Sequence, residues 1–327
     1  MQRTNTIVDV DGILVGHAQH PSGLSGCSVV LCEQPSIGGV DQRGGAPGTR
    51  ETDLLRPMHM VNHIDALLLT GGSAYGLDAA GGVMKYLEEQ GRGFPVGTGV
   101  VPIVPAAVIL DMGVSDPATR PNAEMGYDAC LNVGKHCEVG NVGAGAGATI
   151  GKLLGMGFAM KSGIGSASME ILPGLQIGAL MVVNALGDVF DPANGKLIAG
   201  VRSPETDQPA GTLILMQAMA QHQFAQQFQG GPQAGQNTVI GVIATNARFT
   251  KEETNKLAQM AQDGIAMAVR PAHTMFDGDT MFALSTRKVQ ADFNLVGAYA
   301  AQVVADAVLN AVRAAKSFGE LPGLAGA

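Results

Sequence analysis

Apolar runs of strand length recur along the chain, at "TIVDV", "CSVVLC", "DALLLT", "IGALMVVNA", "GTLILM", "TVIGVIAT" and "TMFALST", each bounded by Gly, Asp, Asn or Pro. Runs of this length closed off by turn formers predict buried strands. Between them lie three stretches of helical period. "SAYGLDAAGGVMKYLEEQG" offers Ser73 as a cap and Gly91 as a stop. "TKEETNKLAQMAQDGIAMAVRP" sets Thr250 and Glu253 at capping-box spacing, lines up Leu257, Met260, Ala261 and Ile265, and ends before Pro271. The third is "LVGAYAAQVVADAVLNAVRAAKS". Buried strands mixed with small-residue helices predict an α/β fold in which helices cover sheets.

Composition narrows the function classes. The 327 residues are 46% hydrophobic, enough for a large core. Gly occurs 46 times, Trp is absent and aromatics make up 4%, which favours close backbone packing over aromatic binding surfaces. A net charge of -8 with no basic run argues against nucleic acid. "MQRTNTIVDVDG" lacks a signal-peptide core, and "VPIVPAAVIL" is too short to span a bilayer, so a cytoplasmic protein with no membrane partner is expected. Cys27, Cys32, Cys130 and Cys137 then read as reduced core thiols without zinc-site spacing.

The segment between Ser203 and Asn237 is the softest part of the sequence. After "GTLILM" it runs through "QAMAQHQFAQQFQGGPQAGQ", which reads as a frayed helix passing into a flexible linker. At Thr238 a β-branched apolar run begins abruptly. No internal repeat or second linker of this kind interrupts the chain, so one compact domain with a joint at Asn237 is expected.

Several motifs fail on their spacing. "GAGAGATIGK" places Ala146 where a phosphate loop needs its first Gly and Leu153 where it needs Ser or Thr. Its Gly143–Ala148 portion fits a loose dinucleotide pattern without a strand leading in, so close backbone packing is the better reading. His59 and His63 are four apart, but "HMVNH" lacks a zincin's Glu, and no metal is expected. "GGSAYG" has Tyr75 where a nucleophile elbow needs Gly.

Thr238 and the acidic pair of "FDGDT" remain. A Thr at a new chain terminus carries an α-amine of pKa ~8 that can deprotonate its own hydroxyl, so nucleophile and base share one residue. Asp277 and Asp279 have the same-face spacing of a strand, where two close carboxylates share a proton; Asp-Gly-Asp is also a common turn.

The blocks "VDGILVGHAQHPSGLSGCSVVLC", "DQRGGAPGTRETDLLRP", "LLTGGSAYGLDAAGGV", "GAGAGATIGK", "VVNALGDV", "NTVIGVIATNA" and "FDGDTMFALST" occur in the same order as in the DmpA-type aminopeptidases and the related nylon-oligomer hydrolase. The chain resembles that family over nearly its whole length. The resemblance implies a four-layer αββα sandwich of the DmpA and ornithine acetyltransferase type. It also implies that residues 1–327 form one hydrolase domain that cleaves itself between Asn237 and Thr238, giving subunits 1–237 and 238–327.

By the same resemblance Thr238 is the nucleophile, Lys152 the active-site lysine, Asn184 the amide that holds the oxyanion, and Asp277 and Asp279 the acidic pair that orients Thr238. Tyr75, Leu110, Arg43 and Arg50 are candidates for substrate contact, with Glu51 beside them; Gly44, Gly45 and Gly48 read as turn glycines. Leu110 departs from the nylon-oligomer hydrolase, which has Tyr there, and this points to a different pocket. The implied activity is aminopeptidase action on short peptides or amino-acid amides, including β- or D-residues, without a cofactor, in a homo-oligomer of αβ units that is tetrameric in the family. Endo-hydrolysis of amide oligomers, acyl transfer and an uncleaved binding scaffold stand as the alternatives.

Overall fold

The computed structural model describes residues 5–114, 118–226 and 237–326. Its centre is a nine-stranded sheet. In chain order the strands are β1 Ile13–Gln19, β2 Gly26–Gln42, β3 Thr49–Arg50, β4 His63–Thr70, β5 Ala106–Val108, β6 Ile164–Leu172, β7 Leu175–Asn184, β8 Thr238–Ala247 and β9 Thr280–Val289. They are arranged β6-β7-β8-β9-β2-β4-β5-β3, with β1 paired to β2. Among the described residues five α-helices accompany them: α1 Ala79–Glu89, α2 Ala123–Leu131, α3 Thr212–Gln226, α4 Lys251–Ala268 and α5 Phe293–Arg313.

β2 divides the sheet into two leaves. Its first part pairs with β1 and β4 through Cys27–Leu31, its last part pairs with β9 through Ile37–Gln42, and the register with β4 shifts between Leu31 and Ser36. An irregularity of this kind bends and twists a strand. Val30, Leu67 and Leu69 of one leaf share a buried core with Leu180, Val242 and Phe282 of the other. The outer face of the first leaf packs on α1 and α2 through Leu68, Ala79, Val83 and Ala129. The outer face of the second packs on α4 and α5 through Val239, Ile243, Leu257, Ile265, Val304 and Val308. The layers are therefore helix, sheet, sheet, helix. All ten residues of β8 are buried because both of its faces are covered, and each such Val or Ile contributes about 1.5–3 kcal/mol.

Local chemistry explains most helix boundaries. Thr250 accepts from the Glu253 backbone N–H while the Glu253 carboxylate accepts from Thr250 N–H, the full capping box. α4 then carries the crossover that a parallel β8–β9 pair requires. Gly91, at φ 65°, ends α1 as expected. Ser73 does not cap it: Ser73 lies at φ 54° and opens a 3-10 turn, Ser73–Asp78, that leads into α1.

Two predicted strands are not strands. "TIVDV" holds a 3-10 turn, Ile7–Asp9, whose Ile7 N–H is taken by Ser166 Oγ at 2.8 Å, so its apolar residues enter the core without a ladder. "GTLILM" opens α3, because Gly211 at φ 87° breaks the chain direction and Asp188 accepts the N–H and hydroxyl of Thr212 at the helix start. Leu215, Met216 and Met219 of α3 pack on Leu153, Leu186 and Val201. The rest of the predicted linker, residues 227–236, lies outside the described residues. α5, the third predicted helical stretch, is long and apolar enough by length and composition to cross a membrane, with a mean hydropathy of 1.5; its apolar side packs on α4 and the sheet.

All four cysteines are free and buried, and burial pushes the Cys32 thiol up to about 11 and those of Cys130 and Cys137 to about 12. The Gly-rich block packs as the sequence suggests. A Cβ on Gly145 would lie 2.2 Å from Ile164 N, and one on Gly147 would lie 2.4 Å from Leu24 O.

Candidate active site

Thr238 is the first residue of a strand held on both sides, by β7 and by β9. Its partner across the antiparallel ladder is Asn184, the last residue of β7. The Thr238 hydroxyl donates to the carbonyl oxygen of Asn237 at 2.5 Å, and the same oxygen accepts the N–H of Gly278 at 2.9 Å. The carbonyl that precedes the strand is thus polarised by a backbone donor while a hydroxyl lies against it. A Cβ on Gly278 would lie 2.7 Å from Ala46 O and 2.9 Å from Thr238 Oγ, so only glycine fits this approach.

Lys152 is buried beside this pair. Its Nζ donates to the backbone oxygen of Asn184 at 2.9 Å and to Asn184 Oδ1 at 2.8 Å. Burial lowers its ammonium to about 7, against the opposing pull of Asp277 and Asp111. Thr149 fixes the amide further, since its N–H and hydroxyl both donate to Asn184 Oδ1. Asn184 Nδ2 therefore points the other way, to Leu110 O at 3.2 Å. A pocket of about 260 Å³ opens here, lined by Leu110, Asp111, Met112, Thr149, Lys152 and Met156.

Asp277 and Asp279 fall outside the strand β9, with Asp277 bridged to Asn237. They lie in the turn that precedes β9, and each carboxylate has its own donors. Asp277 Oδ2 accepts the N–H and hydroxyl of Thr274, at 2.8 and 2.6 Å. Asp279 Oδ1 accepts Val239 N–H at 2.7 Å, and its Oδ2 accepts from His273. Burial raises the Asp277 carboxyl above its ordinary value, with the charge of Asp279 adding to the effect. The loop after β2 wraps this turn: Ala46 N–H donates to Asp277 O, and Gly44 N–H to Asp279 O. Gly44 is there for close approach as well as turning, since its Cβ would meet Asp277 O at 2.3 Å.

The model of peptidase family S58 matches residues 5–323. The chain belongs to that family. It is 44% identical to an uncharacterised aminopeptidase of Mycobacterium leprae, over 97% of this chain and 92% of that protein. It is 31% identical to the 6-aminohexanoate-oligomer endohydrolase of a Kocuria species, over 93% of this chain and 85% of that one. Two solved structures share its fold at a TM-score of 0.70. One is a β-aminopeptidase of a Burkholderia species, 20% identical and covering 99% of this chain and 91% of its own. The other is the L-aminopeptidase D-Ala-esterase/amidase of Ochrobactrum anthropi, 21% identical and covering 97% and 88%, described as a variant of the N-terminal-nucleophile hydrolase fold. The four layers of this S58 chain are that fold.

Among the candidates, the S58 fold brings Thr238, Asn184, Lys152, Asp277 and Asp279 to one end of the central strands. Leu110 lines the pocket and contributes its backbone carbonyl. Arg43 is directed onto α4 instead, pairing with Asp41 and Asp263 and donating to Gln259 O. Arg50 packs on Met84 at 3.0 Å, and Glu51 accepts Val104 N–H. Tyr75 is exposed, with the Arg120 guanidinium 4.0 Å above its ring. Sequence reasoning missed His273, Thr274, Gly278, Thr149 and Asp111. The first three lie within six residues of the acidic pair in "HTMFDGD", and Thr149 lies in "GAGAGATIGK" three residues before Lys152, which were the available signals; Asp111 carried none.

Proposed function

We propose that this S58 peptidase is a self-processing N-terminal-threonine amide hydrolase acting on short peptides or amino-acid amides with a free amino end. The observation that carries the reading is the contact of Thr238 Oγ with Asn237 O, under the Gly278 N–H. In the precursor, Oγ adds to the Asn237 carbonyl carbon and gives its proton to the neutral fraction of Lys152. Gly278 N–H holds the oxyanion. Collapse of the adduct breaks the C–N bond, the nitrogen of Thr238 takes a proton, and an ester remains. Water hydrolyses it to the Asn237 carboxylate and a free Thr238. Both fragments stay joined, since β8 remains hydrogen-bonded to β7.

In the mature protein the new α-amine takes the Thr238 hydroxyl proton as Oγ attacks a substrate amide. The same amine returns the proton to the leaving nitrogen, and water releases the acyl group. Asn184 Nδ2, held here toward Leu110 O beside the pocket, is the side-chain donor assigned to the oxyanion. The S58 aminopeptidase relatives support an exo-acting enzyme, with β- and D-residues among the acyl groups to be tried.

Intact mass with N-terminal sequencing tests the processing step. The expected result is a fragment that begins at Thr238, and a full-length, inactive Thr238→Ala chain. Cleavage of Thr238→Ala at the same bond would remove Thr238 as nucleophile. A panel of aminoacyl amides with L-, D- and β-residues, run beside aminohexanoate oligomers, tests the substrate class; turnover of the oligomers alone would replace the exo reading with the endo one.

A further inference from the structure

His273 carries two local penalties. It sits at φ 58°, in the left-handed region that disfavours residues with a Cβ, and its ring Nε2 is buried without a hydrogen-bond partner among the described residues. What the residue gains is one carboxylate oxygen: Asp279 Oδ2 accepts its backbone N–H at 2.9 Å and its ring Nδ1–H at 2.8 Å. With the carboxylate as acceptor, this contact takes the Nδ1–H tautomer. The left-handed backbone is what turns both donors toward the same oxygen. Strained residues of this kind persist where the surrounding structure requires them.

This chelate fixes the Asp279 carboxylate and aims Oδ1 at Val239 N–H, one residue after Thr238. In the uncut chain the residue before Thr238 is also anchored, by Gly278 N–H on Asn237 O. Cleavage removes that covalent tether. Thr238 then depends on its ladder with Asn184 and on the Val239–Asp279 bond.

We infer that His273 is a positioning residue that acts through Asp279, holding the start of β8 in place chiefly once the chain has been cut. The inference rests on the assignment of Thr238 and the acidic pair made above. It says that turnover by the mature protein depends on the His273 ring more steeply than self-cleavage does.

The test compares His273→Gly, His273→Asn and Asp279→Asn as purified full-length chains, following self-cleavage by intact mass and turnover on an aminoacyl amide. Gly relieves the left-handed backbone but removes the ring, whereas Asn tolerates that backbone and presents an amide N–H where Nδ1 stood. Expected for His273→Gly are self-cleavage near the wild-type rate and a kcat ~10- to 100-fold lower at unchanged KM, as for a small misplacement of a reacting group. His273→Asn should recover most of that loss. Wild-type kcat in His273→Gly, or no recovery in His273→Asn, overturns the inference; a backbone role alone would make Gly the better residue. A folded His273→Gly chain that does not self-cleave also overturns the inference; should that variant fail to fold, His273→Ala, which removes the ring without adding a charge beside Asp279, takes its place. Asp279→Asn separates the two levels of argument. Its turning over normally would undo the assignment of the acidic pair, whereas its loss beside a normal His273→Gly would undo only the role of His273.

Discussion

Asn184 and Thr238 face one another across the antiparallel pair β7·β8, the last residue of one strand against the first of the next. The backbone oxygen and Oδ1 of Asn184 both accept from Lys152 Nζ, so one residue connects the strand end that carries the hydroxyl to the buried lysine. Replacing it touches both.

If Asn184 holds the oxyanion as proposed, Asn184→Ala should lower turnover ~10²- to 10³-fold, and it should slow self-cleavage because Lys152 loses its Oδ1 acceptor. Steady-state kinetics and a gel time course on the same preparation check the two effects.

The rate of self-cleavage should rise with pH and level off above about 7, where burial places the Lys152 ammonium. Below that value the amine is protonated and accepts no proton from Thr238 Oγ. Freshly purified precursor followed between pH 5.5 and 9 should show this profile, and Lys152→Met should cleave slowly at every pH.

Gly278→Ala should impair self-cleavage while leaving most of the core intact. The added Cβ would lie against Ala46 O and Thr238 Oγ, displacing the N–H that holds Asn237 O. Persistence of the full-length chain by intact mass, with a near-native melting curve, is the expected outcome.

Lys161 is a separate buried cation. Its Nζ donates to Ala148 O at 2.9 Å and Ser162 O at 2.7 Å, and burial lowers its ammonium to about 7. Lys161→Met takes the Nζ donor from Ser162 O and leaves Ala148 O only the Ser162 N–H, which should cost about 1–3 kcal/mol in denaturant melts. The wild type should also gain stability as pH rises from about 7 toward 9, because there the unfolded lysine holds a proton that the folded one has lost; above about 9 the buried thiols, held protonated by the fold, act the other way. Lys152 adds to this slope, so Lys161→Met should reduce it without abolishing it.

Periodicity and turn chemistry made much of the fold legible. Five of the seven apolar runs are strands, and the Thr250/Glu253 capping box and the Gly91 stop lie where spacing put them. These signals are local: a capping box needs only residues three apart, and a buried strand only its own apolar side chains. "TIVDV" and "GTLILM" were misread because an apolar run says that it is buried and not how its backbone is paired; a long-range bond from Ser166 and a cap from Asp188 decided those cases.

By itself the sequence determined the layered α/β class, the start of a buried strand at Thr238 and, through its ordered blocks, the resemblance to this family. Only the tertiary structure decided that β2 bends the sheet into two leaves, that Asn184 lies opposite Thr238, and that Asp277 and Asp279 each take their own donors. It also placed Gly278 N–H on the Asn237 carbonyl and His273 on Asp279. The physical reason is range. Hydrophobic pattern and capping act between neighbours in sequence, whereas the β7–β8 register and the approach of Gly278 to Asn237 join residues tens of positions apart; the His273–Asp279 contact spans only six, and there it is the left-handed turn at His273 that the pattern does not show.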